Sequence, residues 1–253
     1  MRRSGSAARP SWAVCGRYAG CSRQFRDNHG MNQGPRENLR RLSAVDRLFG
    51  AAARTFADLT TTAMPTRPSP AAAATLVRDD AALDEAGRQH AGGLMRVNHV
   101  GEICAQALYE GHALTVRDDR LSAFFLSAAD EERDHLAWTR QRLRELQAQP
   151  SVLIPAWYVA SLSLGALAGL AGRRSALGFM SETERQVEAH LQDHLARLPE
   201  ADVRSRAIVE QMKTDEARHG AQARERGGRT LPPPVTGLMR LMSKVMTTVA
   251  YRI

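Results

Sequence analysis

Two stretches of the chain carry apolar residues at helical spacing, and each stripe is interrupted midway by a glutamate and a histidine three residues apart. From Leu121 to Gln147, the positions Leu121, Phe125, Ala128, Glu132, His135, Thr139 and Leu143 fall on one face. From Asp202 to Arg226, Val209, Met212, Glu216, His219 and Ala223 do the same. The pattern also predicts helices from Leu83 to Val116 and from Ser175 to Leu198, in a body that begins near Asp79. Such a stripe faces a core, where a charged side chain is costly unless it is paired or bound to metal. On a helix, Glu-x-x-His points a carboxylate and an imidazole at one spot. Glu132 with His135 and Glu216 with His219 therefore read as two halves of a metal site rather than as surface ion pairs.

The breaks between helices locate further carboxylates. Two Glu-x-x-His helices in a bundle ask for one Glu from each of two other helices, the arrangement of carboxylate-bridged two-metal sites. In an antiparallel hairpin, groups at one height are equidistant from the turn. Counting back from Glu132 through the break Arg117-Asp118-Asp119-Arg120 reaches Glu102, and from Glu216 through Pro199-Glu200-Ala201-Asp202 reaches Glu184. Glu110 is too near the first turn, while Glu182 and Glu188 lie about one helical turn or less from Glu184, and Glu182 stays its rival. The set Glu102, Glu132, His135, Glu184, Glu216 and His219 suits two divalent iron or manganese ions better than zinc or calcium. Asp215 can hydrogen-bond a ligand histidine from beside the site, or sit on the surface as an ordinary helix charge.

Between the two hairpins, Val152 to Gly172 is uncharged for 21 residues, enough to span a bilayer. Spanning would put the hairpins on opposite sides, and one site could not then be assembled from both. The segment is predicted to be a partly helical crossover whose apolar face embeds in one leaflet or lines an apolar tunnel, with a core helix as the alternative. In the tail, Val235, Leu238, Met239, Met242, Val245, Met246 and Val249 recur at helical spacing beside Arg240, Lys244 and Arg252. This is an amphipathic helix that meets lipid or packs on the bundle.

Composition changes this picture only at the N-terminus. The chain has a net charge of +8, but residues 1–30 hold six arginines against Asp27, which leaves +3 for residues 31–253. The body is nearly balanced, so no nucleic-acid partner is expected. Residues 1–30 lack an apolar signal core and any periodicity, and are read as a disordered or spurious extension ahead of a start at Met31. Residues 31–78 hold an amphipathic helix from Ser43 and a linker at Thr60–Ala74, broken by Pro65, Pro68 and Pro70, and residues 79–253 form the functional domain. Cys15, Cys21 and Cys104 form no disulfide or zinc pattern and suit a reducing compartment.

The run Arg96-Val97-Asn98-His99-Val100-Gly101-Glu102, then Glu132-Arg133-Asp134-His135-Leu136, Glu184 with His190, and Asp215-Glu216-Ala217-Arg218-His219 resembles the demethoxyubiquinone hydroxylase family over residues 85–253. The resemblance implies an all-α, ferritin-like four-helix bundle made of two hairpins, with an apolar crossover and a C-terminal amphipathic helix. It implies two Fe2+ ions held by the six residues above, with Glu102 and Glu184 as single-carboxylate ligands or bridges. The implied activity is monooxygenation of a polyprenyl benzoquinol in ubiquinone biosynthesis, using dioxygen and two electrons. Implied partners are a membrane lipid surface, at the cytoplasmic face of the cell membrane, and a ubiquinone-biosynthesis protein complex. His190 and Arg96 are candidates for roles beside the irons, as is His99 by its place in the motif. Some members carry a tyrosine where this chain has Leu191, so no tyrosine acts there. The alternatives are another ferritin-like di-iron protein, a tRNA hydroxylase or an iron-storage bundle.

Overall fold

The apolar stripes become helices, three of which begin at a short acidic side chain. In the computed structural model, residues 50, 65–77 and 83–253 are described, and every regular element among them is helical. They are α1 (Pro70–Val77), α2 (Glu85–Thr115), α3 (Asp119–Glu145), α4 (Ile154–Leu170), α5 (Arg173–Arg197), α6 (Val203–Glu225) and α7 (Pro233–Ala250). The readings of residues 1–30 and of the helix from Ser43 lie outside the described residues, Gly50 excepted. Asp84, Asp118 and Asp202 cap α2, α3 and α6 by accepting from backbone N–H groups of the first turn. The stretch expected to be helix-free from Thr60 to Ala74 is corrected at its end. Pro70 opens α1, because at the first helical position a missing N–H costs nothing.

The two hairpins form where the charged breaks put them. α2 and α3 meet across Val116–Asp118, and α5 and α6 across Leu198–Asp202. The hairpins then join through α3 against α6 and α2 against α5, giving the four-helix bundle. Along all four helices the core is divided in the same way. One cluster holds Leu94 and Met95 of α2, Trp138 and Leu143 of α3, Leu191 and Leu195 of α5, and Ile208 and Met212 of α6. The other holds Leu108 and Tyr109, Phe125, Leu177 and Met180, and Ala223 from the same helices. Glu102, Glu132, Glu184 and Glu216 fall between the two clusters in the sequence of each helix. The polar layer is therefore closed above and below by apolar side chains.

The crossover is helical and lies on the outer side of α2. Its residues Ile154, Tyr158, Ser161, Gly165 and Gly169 are buried, a stripe narrowing to glycine. A Cβ on Gly165 would overlap the carbonyl of Leu108, and one on Gly111 the carbonyl of Leu162, so the two backbones touch. The close approach lets His112 Nδ1 donate to Gly165 O at 2.8 Å and Thr115 Oγ1 donate to Ala166 O at 3.0 Å. The opposite face is bare, with Val152, Val159, Leu167 and Leu170 exposed. α7 likewise rests on the bundle through Met246 and Ala250 while Leu238, Leu241 and Val245 face outward. No helix among the described residues is long and apolar enough to cross a membrane.

Backbone contact at Gly165 outweighs helix propensity. Gly165→Val should lower the unfolding free energy by about 3 kcal/mol, since neither backbone can yield to the added methyls. Gly101→Ala, with open space around its Cβ, should raise it by up to about 1 kcal/mol. Urea denaturation of the two variants checks both signs. A neutral Gly165→Val would contradict the packing described.

Candidate metal centre

Six buried side chains converge in the layer between the two apolar clusters. Glu102, Glu132, His135 and Glu216 form one group, and Glu132, Glu184, Glu216 and His219 a second, each with one ligand atom per residue within 4.8 Å of the others. Glu132 and Glu216 belong to both groups, whereas Glu102 and Glu184 each belong to one. The three-residue spacing of each Glu-x-x-His pair aims both side chains of a helix inward. The equal distances of Glu102 and Glu132 from one turn, and of Glu184 and Glu216 from the other, bring the carboxylates to one height.

Each histidine turns Nδ1 to the carboxylates and Nε2 away from them. His135 Nδ1 lies 2.9 Å from Glu132, 3.2 Å from Glu102 and 3.2 Å from Glu216. His219 Nδ1 lies 3.2 Å from Glu132 and 3.5 Å from Glu216, without hydrogen-bond alignment to either. On the far side, His135 Nε2 meets Asp215 Oδ2 at 3.0 Å and His219 Nε2 meets Glu131 Oε2 at 3.1 Å. The exchange is reciprocal, for each histidine takes its outer acid from the other hairpin. Asp215 immediately precedes Glu216 and Glu131 immediately precedes Glu132, so one repeated pattern supplies both.

The donor set fits a cation. Both oxygens of Glu132, both of Glu184, Oε2 of Glu216 and Nδ1 of His219 are buried without a hydrogen-bond partner. Buried carboxylate oxygens without hydrogen bonds are costly, and a metal ion is the ligand that satisfies several at once. The titration of the metal-free cluster says the same. Burial raises Glu102 to about 8, and lifts Glu184 well above the carboxylate range with the help of the Glu216 charge. Burial also acts on Glu216, but the imidazoles of His135 and His219 outweigh it and hold that carboxyl low. Burial disfavours the imidazoliums of His135 and His219 in turn, yet the surrounding acids raise both. Burial and the crowding of acids thus make the layer favour positive charge.

The remaining candidates lie elsewhere. Glu182 pairs with Arg185 and Gln186, and Glu110 accepts from Tyr158 Oη at 2.7 Å, so neither rival enters the cluster. Arg96 does not reach it, since its guanidinium donates to the carbonyls of Gln149 and Tyr251. His190 lies against His194, with ring centroids 3.9 Å apart, beside a groove of about 490 Å³ lined also by Arg185, Arg240 and Lys244. Six residues beyond Glu184 is a different helix face, which is why it points there. His99 is buried against Thr139 Oγ1, and burial lowers its pKa to about 3, so it is a neutral packing group. Leu191 belongs to the apolar core.

Two features escaped the sequence reading. Glu131 has a signal, because it stands to Glu132 as Asp215 stands to Glu216. Arg67 has none. It reaches in from the proline-rich segment, with Nε 2.9 Å from Asp134 and Nη1 2.9 Å from Asp215. Thr66 also donates to Asp134 through its backbone N–H at 2.6 Å.

Bundle and site together define a helical protein whose four central helices enclose a carboxylate–histidine layer able to hold metal. Residues 89–250 match the COQ7 family, described as ubiquinone biosynthesis protein COQ7. A relative from Xanthomonas campestris pv. campestris (strain 8004) is 54% identical over 210 residues, covering 83% of this chain and 95% of the relative. Relatives from Ralstonia pickettii (strain 12J) and Cupriavidus pinatubonensis (strain JMP 134 / LMG 1197) are 54% and 58% identical, over 81% and 70% of this chain and 96% and 86% of their own lengths. All three are named 3-demethoxyubiquinol 3-hydroxylase. The chain belongs to the COQ7 family.

The pH dependence follows from Glu102. Its carboxyl is raised from 4.5 to about 8 in the folded metal-free chain, so the stability it lends is fully present below 4.5 and is lost as pH rises through about 8. A bound divalent cation displaces that proton. The melting temperature of the metal-loaded protein minus that of the metal-free protein should therefore widen between about pH 5 and about pH 8. A gap independent of pH would contradict this charge balance.

Proposed function

We propose that the chain is a di-iron monooxygenase that hydroxylates the ring of a polyprenylated demethoxyubiquinol, with dioxygen and two electrons, at a membrane surface. The observation that carries the reading is the pair of overlapping ligand groups that share Glu132 and Glu216. Two groups that share two carboxylates would hold a pair of ions side by side, as carboxylate two-metal sites in helical bundles do. Glu132 and Glu216 would serve both ions, with Glu102 and His135 holding one and Glu184 and His219 the other. Bound there, iron supplies the dioxygen chemistry and the electron storage that no side chain in the cluster provides.

The protein's own residues do the rest. Asp215 and Glu131 accept from the Nε2–H of His135 and His219, which fixes the tautomer and leaves each Nδ1 free to bind. The apolar clusters above and below keep bulk water from the layer, so an oxidising centre is not quenched by solvent. The polyprenyl tail explains the two bare apolar faces. α4 and α7 both lean on α2 and share a cluster with Val97, Val100 and Ile103, which puts their exposed Val, Leu and Met residues on neighbouring surface. Arg240, Lys244 and Arg252 add positive charge toward anionic headgroups. A long isoprenoid can then pass from lipid to protein without crossing water.

Two experiments test the reading. Glu132→Ala and Glu216→Ala should each remove bound iron and hydroxylation of demethoxyubiquinol together, read by metal analysis and by mass spectrometry of the quinol. Retention of both would refute the assignment. In flotation with anionic phospholipid vesicles the chain should rise with the lipid. Leu238→Asp combined with Leu241→Asp should cut partitioning more than tenfold, since each buried leucine contributes about 1.5–3 kcal/mol. Equal flotation of the double variant would remove α7 from the membrane face.

A further inference from the structure

The Arg67 contact joins the proline-rich N-terminal segment to one metal position and not equally to the other. Resting on the two-metal reading above, we infer that Arg67 is a positioning residue that fixes His135 through Asp215, and so sets the affinity of the ion bound by Glu102 and His135.

The two histidines are oriented by similar acids that are themselves held differently. Glu131, on the His219 side, receives Arg218 Nη2 at 2.8 Å, from the same helix as His219. Asp215, on the His135 side, has its two oxygens divided. Oδ1 takes Gln211 at 3.3 Å and Arg218 at 3.2 Å, both from α6. Oδ2, the oxygen that faces His135 Nε2, takes Arg67 Nη1 at 2.9 Å. Arg67 comes from 148 residues upstream, outside both hairpins.

The guanidinium is itself well anchored. Its Nε donates to Asp134 Oδ2, its plane lies over Trp138 with Cζ 4.9 Å from the ring, and Trp138 Nε1 donates back to the Arg67 carbonyl. Asp134 in turn is held by Thr66. One arginine thus spans an acid of α3 and an acid of α6, the two helices that carry the Glu-x-x-His pairs. A planar fork with several fixed donors can bridge two carboxylates in this way, and a lysine ammonium cannot hold both at the same angles.

The chemistry follows from which proton sits on His135. For Nδ1 to bind metal, Nε2 must carry the proton and needs a hydrogen-bond acceptor at a fixed place. Arg67 donates to that acceptor oxygen and, through its second bond to Asp134, pins Asp215 in place. Its Nη2 approaches His135 Nε2 to 3.4 Å, and as a donor it can offer that nitrogen no acceptor. Asp215 remains the partner of the Nε2 proton.

The test uses the full chain, freed of metal and titrated with Co2+ as the probe, reading stoichiometry by calorimetry and ligand environment by the visible absorption of the bound ion. Wild type should take two ions per chain. Arg67→Met keeps the stem on Trp138, and should bind one ion about 10–100-fold more weakly, with that ion's band shifted and the other unchanged. Arg67→Lys should recover part of the affinity. A variant that melts lower but keeps both affinities and the wild-type spectrum overturns the inference, because the contact is then structural only. If Arg67→Met does not fold, Arg67→Lys decides, with selective weakening of one ion supporting the inference and wild-type affinities overturning it. A wild-type chain that binds no Co2+ would instead sink the two-metal reading itself.

Discussion

Burying four carboxylates inside a helical bundle is the constraint to which the rest of the molecule answers. Each would cost several kcal/mol as an isolated ion, more than any one helix contact returns. The layer persists because opposite groups converge on it from four helices at one height. Glu132 and Glu216 stand between His135 and His219, while burial raises the carboxyls of Glu102 and Glu184. The apolar clusters on either side make the penalty larger and the demand for a cation stronger. A water-filled bundle would hold the same residues with less need of a metal and with less control over what reaches it.

Around that layer the acids are ranked by distance. Several oxygens of the carboxylates nearest the centre lack hydrogen bonds, whereas the acids one step out collect several donors each. Asp134, Asp215 and Glu131 collect arginine, threonine and histidine donors. This outer ring is where the hairpins are tied to each other, since Asp215 serves the histidine of α3 and Glu131 the histidine of α6. Membrane association would act on a separate part of the structure. α4 meets α2 through glycine and so sets its large apolar residues outward, away from the layer.

Much of this was legible in the sequence, for identifiable reasons. The hairpins and the six inward groups could be read because helical phase and distance from a turn are both linear in residue number. Glu184 could not be separated from Glu182 by counting, since turns are uncertain by about a residue or two. The structure separates them by facing Glu182 toward Arg185. Asp215 was visible as a partner for a ligand histidine, and its counterpart Glu131 follows from the repeat. Arg67 was not visible, because a contact across 148 residues from a proline-rich segment leaves no periodic trace. His190 and Arg96 took their candidacy from a motif, and helical phase carries them to other surfaces.

The central claim is that the buried layer holds two metal ions sharing Glu132 and Glu216. Mössbauer spectroscopy of the full chain loaded with 57Fe and oxidised tests it most directly. The account predicts two irons per chain whose ferric spins couple through shared carboxylates into a diamagnetic ground state. A single iron per chain, or two irons with independent paramagnetic spectra, would contradict it.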